Sequence, residues 1–220
     1  PGKIFHELRD GEMTRASETP HSPYYGSIDA TPLFIIVSEE AYRFSANREA
    51  LKELLPAILA ALAWIDVRSD NGRKLVTYAK MAPNGIDNQC WKDSRAGVSS
   101  PDGKCAIAPV AVCEVQGYCI DAYVRGARIL VALGDPVRAS EYEGRAIELR
   151  ATFERHFWIE EKGRYAYAID GEGTVLDTLV SNAGHLLWSG VPASDRGALL
   201  GKQLLSPESF SGFGIRTLAA

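Results

Sequence analysis

Between Pro109 and Phe157 the chain carries two long helical stretches back to back, and this pair limits what the rest can fold into. The first runs from about Pro109 to Leu133 and ends at Gly134, a residue suited to the left-handed turn that closes a helix. Asp135 follows, and Pro136 opens the second stretch, which continues to about Phe157. So short a link returns the second helix alongside the first. Over 110–133 apolar residues occur nearly all round the helix, so neighbours are required on both sides.

The remaining segments repeat this theme. Pro32 suits a first helical turn with Thr31 as its N-cap, and that helix extends to about Phe44. From Arg48 to about Val67 a second one carries Leu51, Leu54, Leu55, Ile58, Leu59 and Leu62 at helical spacing, with a kink expected at Pro56. After Asp70-Asn71-Gly72, a turn signal, Leu75–Ala79 has the composition of a short strand. Trp158 to Asp170 alternates about Lys162-Gly163-Arg164, predicting a hairpin with Tyr165-Ala166-Tyr167-Ala168-Ile169 as one arm. Shorter helices are predicted at about Ser181–Ser189 and Ala193–Leu204, and residues 1–30 look irregular. About six helices in successive pairs, with long loops and little strand, predict an all-α toroid or solenoid.

Composition narrows the class of function. Of 220 residues, 46% are hydrophobic and 24% charged, which is ordinary for a water-soluble globular chain. The net charge of −4 offers no electrostatic reason for nucleic acid or an anionic membrane as a partner. No charge-free run of about 18 apolar residues is present, so no membrane span is predicted. Cys90, Cys105, Cys113 and Cys119 form no Cys-x-x-Cys pair, so no zinc site is expected. A Cys90–Cys105 bridge is not indicated, and reduced thiols of a cytoplasmic enzyme are the simpler reading. Neither a metal nor a cofactor is expected. The start at Pro1-Gly2-Lys3 shows no signal-peptide layout, and the expectation is a segment of a longer chain.

Chemistry-bearing residues gather in the loop Asn88-Gln89-Cys90-Trp91-Lys92-Asp93-Ser94-Arg95. Turn-rich segments flank it, Pro83-Asn84-Gly85 before and Ser99-Ser100-Pro101-Asp102-Gly103 after. Loops carry function more often than packing. A lone Asp there is commonly a turn residue, although an exposed Trp such as Trp91 marks binding. Glu114, Gly117, Asp121, Arg125 and Arg128 lie at 3- and 4-residue spacing, the pattern of a solvated helix face. Gln116 projects about 200° from Glu114, so the two cannot both face one ligand from mid-helix. Asp29 precedes a helix, where an Asp complements the helix dipole. His185 and Trp188 stand on an apolar helix, where a His is commonly a hydrogen-bonded core residue. Of Tyr24 and Tyr25, one is expected in the core.

Six motifs occur in order: Gly2-Lys3-Ile4 with His6-Glu7-Leu8-Arg9; Tyr24-Tyr25-Gly26-Ser27-Ile28-Asp29-Ala30-Thr31-Pro32-Leu33-Phe34; Asn88-Gln89 with Trp91-Lys92-Asp93-Ser94; Glu114-Val115-Gln116-Gly117-Tyr118; Ser181-Asn182 with Gly184-His185-Leu186-Leu187-Trp188; and Gly214-Ile215-Arg216-Thr217-Leu218. Together they resemble bacterial glycogen-debranching-enzyme-like proteins, the amylo-α-1,6-glucosidase group, which is related to glucoamylases and mannosylglycerate hydrolases. The resemblance spans nearly the whole chain, although each motif alone is weak. It implies an (α/α)6 barrel that hydrolyses a glycosidic bond with inversion. Asp93 matches the position of the general acid, and Trp91 that of a stacking wall. Asp29, Tyr25, Lys92, Glu114, Gln116 and Arg216 become candidate sugar-binding residues. Glu114 keeps two readings side by side, sugar contact and solvated face, and Arg216 keeps those of sugar ligand and helix cap. Two departures are present. Cys90 stands where the family usually has Gly, and Arg95-Ala96-Gly97 replaces a stretch with a further acid, which bears on substrate preference.

In such a family the catalytic base lies beyond a motif like Arg216-Thr217-Leu218, so no base is assigned within these residues. About six helices are half of a closed (α/α)6 barrel, so the 1–220 segment is expected to be its N-terminal half. The remainder comes from a longer chain or from a second copy. The implied partner is a carbohydrate, glycogen-derived or a short α-glucoside. The alternative is a non-catalytic carbohydrate-binding or scaffold fragment. A toroid of another chemistry, such as a sugar epimerase, would isomerise its substrate without cleaving a bond.

Overall fold

The computed structural model describes residues 1–18, 22–83 and 85–219; Asn84 of the turn before the Trp91 loop lies outside them, as does Ala220. Among the described residues, seven α-helices hold about half of the backbone: α1 Glu12–Arg15, α2 Ala30–Ser45, α3 Arg48–Ser69, α4 Cys113–Leu133, α5 Pro136–Phe157, α6 Gly184–Trp188 and α7 Ser194–Leu204. Five two-residue strands lie between them: β1 Ala111–Val112, β2 Trp158–Ile159, β3 Arg164–Tyr165, β4 Ala168–Ile169 and β5 Val175–Leu176. No helix among the described residues is long and apolar enough to cross a membrane.

Helix α4 is the centre. Val115, Tyr118, Cys119, Ile120, Ala122, Tyr123, Ala127, Ile129 and Leu130 are all buried, on every face, because α2, α3, α5 and α6 pack around it. Gly126 sets the closest approach: a Cβ there would lie 3.0 Å from two methyl groups of Leu62 on α3. Helix α5 buries one stripe only, Ala139, Tyr142, Ala146, Leu149, Phe153 and Phe157 at helical spacing, and is therefore an outer helix. The two helix pairs are closed by local chemistry. Asn47 accepts a hydrogen bond from the Ala50 N–H at the start of α3, and Asp135 one from Arg138 at the start of α5. Gly134 at φ 93° closes α4.

Departures from the sequence-based expectation have identifiable causes. Helix α4 begins at Cys113, not Pro109, because Val110 pairs with Tyr78 and Ala111–Val112 pair with β4. Segment 75–79 forms no strand beyond that single bridge at Tyr78. Its Val76 N–H and C=O are taken by the side-chain amide of Gln116, at 2.9 and 2.8 Å. Tyr165–Ile169 is not one hairpin arm. Tyr165 pairs with Trp158, whereas Ala168 and Ile169 join a sheet of order β1-β4-β5. Thr31 is no N-cap: it sits inside the first turn of α2 and accepts a hydrogen bond from the Ile4 N–H, so a long-range tie replaces the local cap. Helix α3 runs through Pro56 without a break, as expected, whereas residues 12–15 form a helical turn that composition did not signal.

Candidate active site

The Trp91 loop is held by buried polar groups at its base. The Asn88 carboxamide donates to the carbonyls of Ser94 (2.7 Å) and Arg95 (3.3 Å) and accepts from the Tyr78 hydroxyl (3.0 Å). Tyr167 donates to the Gly97 carbonyl at 2.8 Å, and the Gln89 carbonyl accepts from Ile28 N–H at 2.7 Å. Gly97 is required sterically, since a Cβ there would lie 2.3 Å from the Lys92 carbonyl oxygen. With its base pinned, the loop presents Trp91, 43% exposed, and an exposed Asp93. The Asp93 carboxylate makes no hydrogen bond or ion pair among the described residues.

One cavity is lined by this loop, and Trp91 reaches the edge of a second. The first, about 290 Å³, is lined by Lys92, Asp93, Ser94, Gly97, Tyr167 and Thr217. Lys92 donates to the Thr217 carbonyl and lies over the rings of Trp91 (5.4 Å) and Tyr167 (5.3 Å). Burial pulls its ammonium below the ordinary lysine value. The second cavity, about 620 Å³, is bounded by Leu33, Tyr118, Gly184, His185, Trp188 and Ile215. Trp91 approaches His185 with ring centroids 6.2 Å apart, and Tyr118 meets both His185 and Trp188 edge-on at 5.7 and 5.9 Å. Such an aromatic wall suits the apolar faces of a sugar ring.

His185 is consequently not the core histidine its helix implied. It is half-buried at the cavity edge, with Nδ1 2.6 Å from the Tyr118 hydroxyl, and desolvation lowers its pKa. This Tyr118–His185 pair was missed by sequence reasoning, although both residues sit in quoted motifs.

Glu114 is wholly buried, so the solvated-face reading of its stripe is corrected. Asp121 and Arg125 are buried with it, and Arg128 alone of the charged stripe is exposed. Arg125 binds Asp121 through both carboxylate oxygens, Glu39 at 2.8 Å, and Glu40. Glu114 accepts from the Asn182 carboxamide at 2.8 Å. Desolvation, reinforced by the charge of Asp29, pushes its carboxyl up to about 7.

An acid held near 7 when folded and at 4.5 when unfolded keeps its proton in the folded state while the unfolded chain releases it. Stability therefore falls as pH rises through that window, by about 3 kcal/mol in all. Glu114→Gln should remove this slope, so its urea midpoint relative to wild type rises between pH 5 and pH 8. Parallel midpoints at both pH values would show that Glu114 is charged when folded.

The other candidates separate. Asp29 occupies the N-cap position of α2, and its carboxylate is held by the Ser27 hydroxyl. Gln116 is corrected as a sugar ligand: it is fully buried, and its amide is used by the backbones of Val76 and Val112. Arg216 is likewise committed, donating to the carbonyls of Pro207 (2.9 Å) and Glu208 (3.3 Å). Tyr25 is 48% exposed and lines a third cavity, apart from Trp91; Tyr24 is the more buried of the two and accepts from Ile86 N–H. All four cysteines are free thiols.

The sequence matches no family model and no curated protein. Solved structures do match. The GH78 family rhamnosidase of Bacillus sp. GL1 superposes with TM-score 0.67 at 20% identity, over 88% of this chain and 20% of its own. A GH63 mannosylglycerate hydrolase from Thermus thermophilus, in complex with glucose, gives 0.60 at 21% identity, over 88% of this chain and 56% of its own. A D-mannose isomerase gives 0.55 at 19% identity, over 83% and 41%. The fold is a partial (α/α)6 barrel. This chain spans less than two thirds of each of these three structures. Within the barrel, the Trp91 loop and the first turns of α2 and α4 contribute the exposed carboxylate of Asp93, Asp29 and buried Glu114.

Proposed function

We propose that this chain is part of an inverting glycoside hydrolase acting on α-glucosidic bonds of glycogen-derived or short α-gluco-oligosaccharides. Asp93 serves as the general acid. The observation that carries the reading is an unpaired, exposed Asp93 lining a cavity with Lys92 and Tyr167, on a loop whose Trp91 meets His185 of an aromatic cavity, in a fold shared with a rhamnosidase and a mannosylglycerate hydrolase. A sugar stacked on Trp91 would displace water from Asp93 and set its carboxyl against the leaving oxygen. The leaving oxygen takes the acid's proton, while water attacks from the opposite face. The base activating that water stands about 6.5–9.5 Å from the acid in an inverting site.

No residue here is assigned as that base. Glu114 is not offered in its place, because it is closed off from solvent and bound to Asn182. We assign the base to helices that complete the barrel, from the same polypeptide beyond this segment or from a second copy. The amylo-α-1,6-glucosidase resemblance of the six motifs supports glucan as the substrate class.

One assay tests the reading against its competitors. The full-length protein is incubated with maltose, isomaltose and glucosylglycerate, and products are followed by proton NMR. Release of glucose as the β-anomer is expected from α-linked substrates. Retained α-configuration would overturn inversion. Aldose–ketose interconversion without cleavage would favour the isomerase reading, for which the likeness to a D-mannose isomerase is the supporting observation. Binding without any product would favour a non-catalytic carbohydrate-binding or scaffold role.

A further inference from the structure

A third cavity, about 320 Å³, lies behind the Tyr24–Ile28 segment, distinct from both cavities beside the Trp91 loop. Lys3, Arg68 and Lys80 line it, together with Tyr24, Tyr25 and Gln89. Two of the three cations make no direct ion pair among the described residues. Lys80 is paired with Asp87 at 3.1 Å, but Lys3 and Arg68 have no carboxylate partner among the described residues. Both instead lean on one indole, that of Trp64, with Arg68 Cζ 5.6 Å and Lys3 Nζ 5.8 Å from its ring.

The placement of Lys3 is built, not incidental. Gly2, at φ 81°, brings the backbone so close to α3 that a Cβ would lie 2.0 Å from the Ala60 carbonyl oxygen. On the other side, Ile4 N–H is tied to the buried Thr31 hydroxyl at 3.0 Å. Lys3 is thus clamped between two anchors, with one N–H given to the Tyr25 carbonyl at 2.6 Å and its others left for a ligand. The guanidinium of Arg68 makes no hydrogen bond among the described residues.

Two like charges held together in a partly buried cavity repel each other. Burial first and Arg68 second bring the Lys3 ammonium down to about 8, offset in part by Asp29. A ligand carrying two negative charges would relieve this repulsion, and a phosphate monoester has about −1.5 to −2 at neutral pH. Tyr24, Tyr25 and Gln89 offer aromatic and amide surface for a polyhydroxylated body attached to it. We propose that this cavity binds a phosphorylated sugar, its phosphate held between Lys3 and Arg68. The proposal is independent of the glycosidase reading, since none of these residues lines the Asp93 or aromatic cavity.

Isothermal titration of the full-length protein with glucose 6-phosphate, inorganic phosphate and glucose tests it. Glucose 6-phosphate should bind saturably and more tightly than inorganic phosphate, with affinity falling as salt is raised. Lys3→Gln and Arg68→Gln should each weaken that binding by roughly tenfold or more. Neither variant should melt below wild type, because each removes a like-charge repulsion. Absence of saturable binding to either phosphate compound, or binding untouched by both substitutions, would overturn the site. A lowered melting temperature for Arg68→Gln would also overturn it, because Arg68 would then be a structural cation on Trp64.

Discussion

Replacing Asp93 by Asn in the full-length protein should lower kcat on maltose-type substrates by about two to four orders of magnitude, the usual contribution of a positioned general acid. The size depends on how badly the leaving oxygen needs a proton. A natural sugar leaves as a poor alkoxide, whereas fluoride leaves unassisted. With α-glucosyl fluoride the same variant should therefore retain far more of its rate. An equal loss on both substrates would reassign Asp93 to sugar binding. Activity within a factor of about two of wild type would remove it from the mechanism altogether.

The largest effect on stability is expected at Arg125. This guanidinium pairs with Asp121 on its own helix and with Glu39 and Glu40 on α2, with Arg125, Asp121 and Glu39 all nearly excluded from solvent. Arg125→Met keeps much of the side-chain volume but leaves Asp121 buried without its ion-pair partner, and leaves Glu39 only the longer 3.9 Å contact with Arg43. Breaking one partner of a buried ion pair costs roughly 3–5 kcal/mol, because the stranded charge bears its full desolvation penalty. In a chain of this size that corresponds to a fall in Tm of roughly 6–20 °C.

Burial already holds the Asp121 carboxyl above its ordinary value, and loss of Arg125 would raise it further. Its folded form therefore takes up a proton first as pH falls, and the gap to wild type narrows toward acid. Chemical denaturation at neutral and mildly acidic pH checks both points. A loss below about 1 kcal/mol, the level of an exposed pair, would mean that solvent already screens the cluster.

The same cluster shows why part of the molecule was hidden in its sequence. A polar stripe such as Glu114, Asp121, Arg125 along α4 has the spacing of a solvated face, and nothing local says otherwise. The partner Glu39 lies 86 residues earlier in the chain, and Asn182 lies 68 residues after Glu114. Only tertiary packing could turn that stripe inward. Gln116 follows the same logic: its amide satisfies Val76, 40 residues away, so a residue matched to a sugar ligand instead replaces a missing strand partner. The Trp91 loop shows the intermediate case. Its turns were legible from Gly, Pro and Asn, but the hydroxyl of Tyr167 that pins Gly97 comes from 70 residues further on.

The sequence by itself determined the four long helices and their pairing, because periodicity, Asn47, Gly134, Asp135 and Pro136 act within a turn or two of their own position. It also singled out the loop that presents Asp93. Tertiary structure alone decided which charged groups face water, which candidates have free hydrogen-bonding capacity, and which aromatic rings meet around the cavity. Burial and pairing are properties of what surrounds a residue, and in this barrel the surroundings are assembled from segments tens of residues apart.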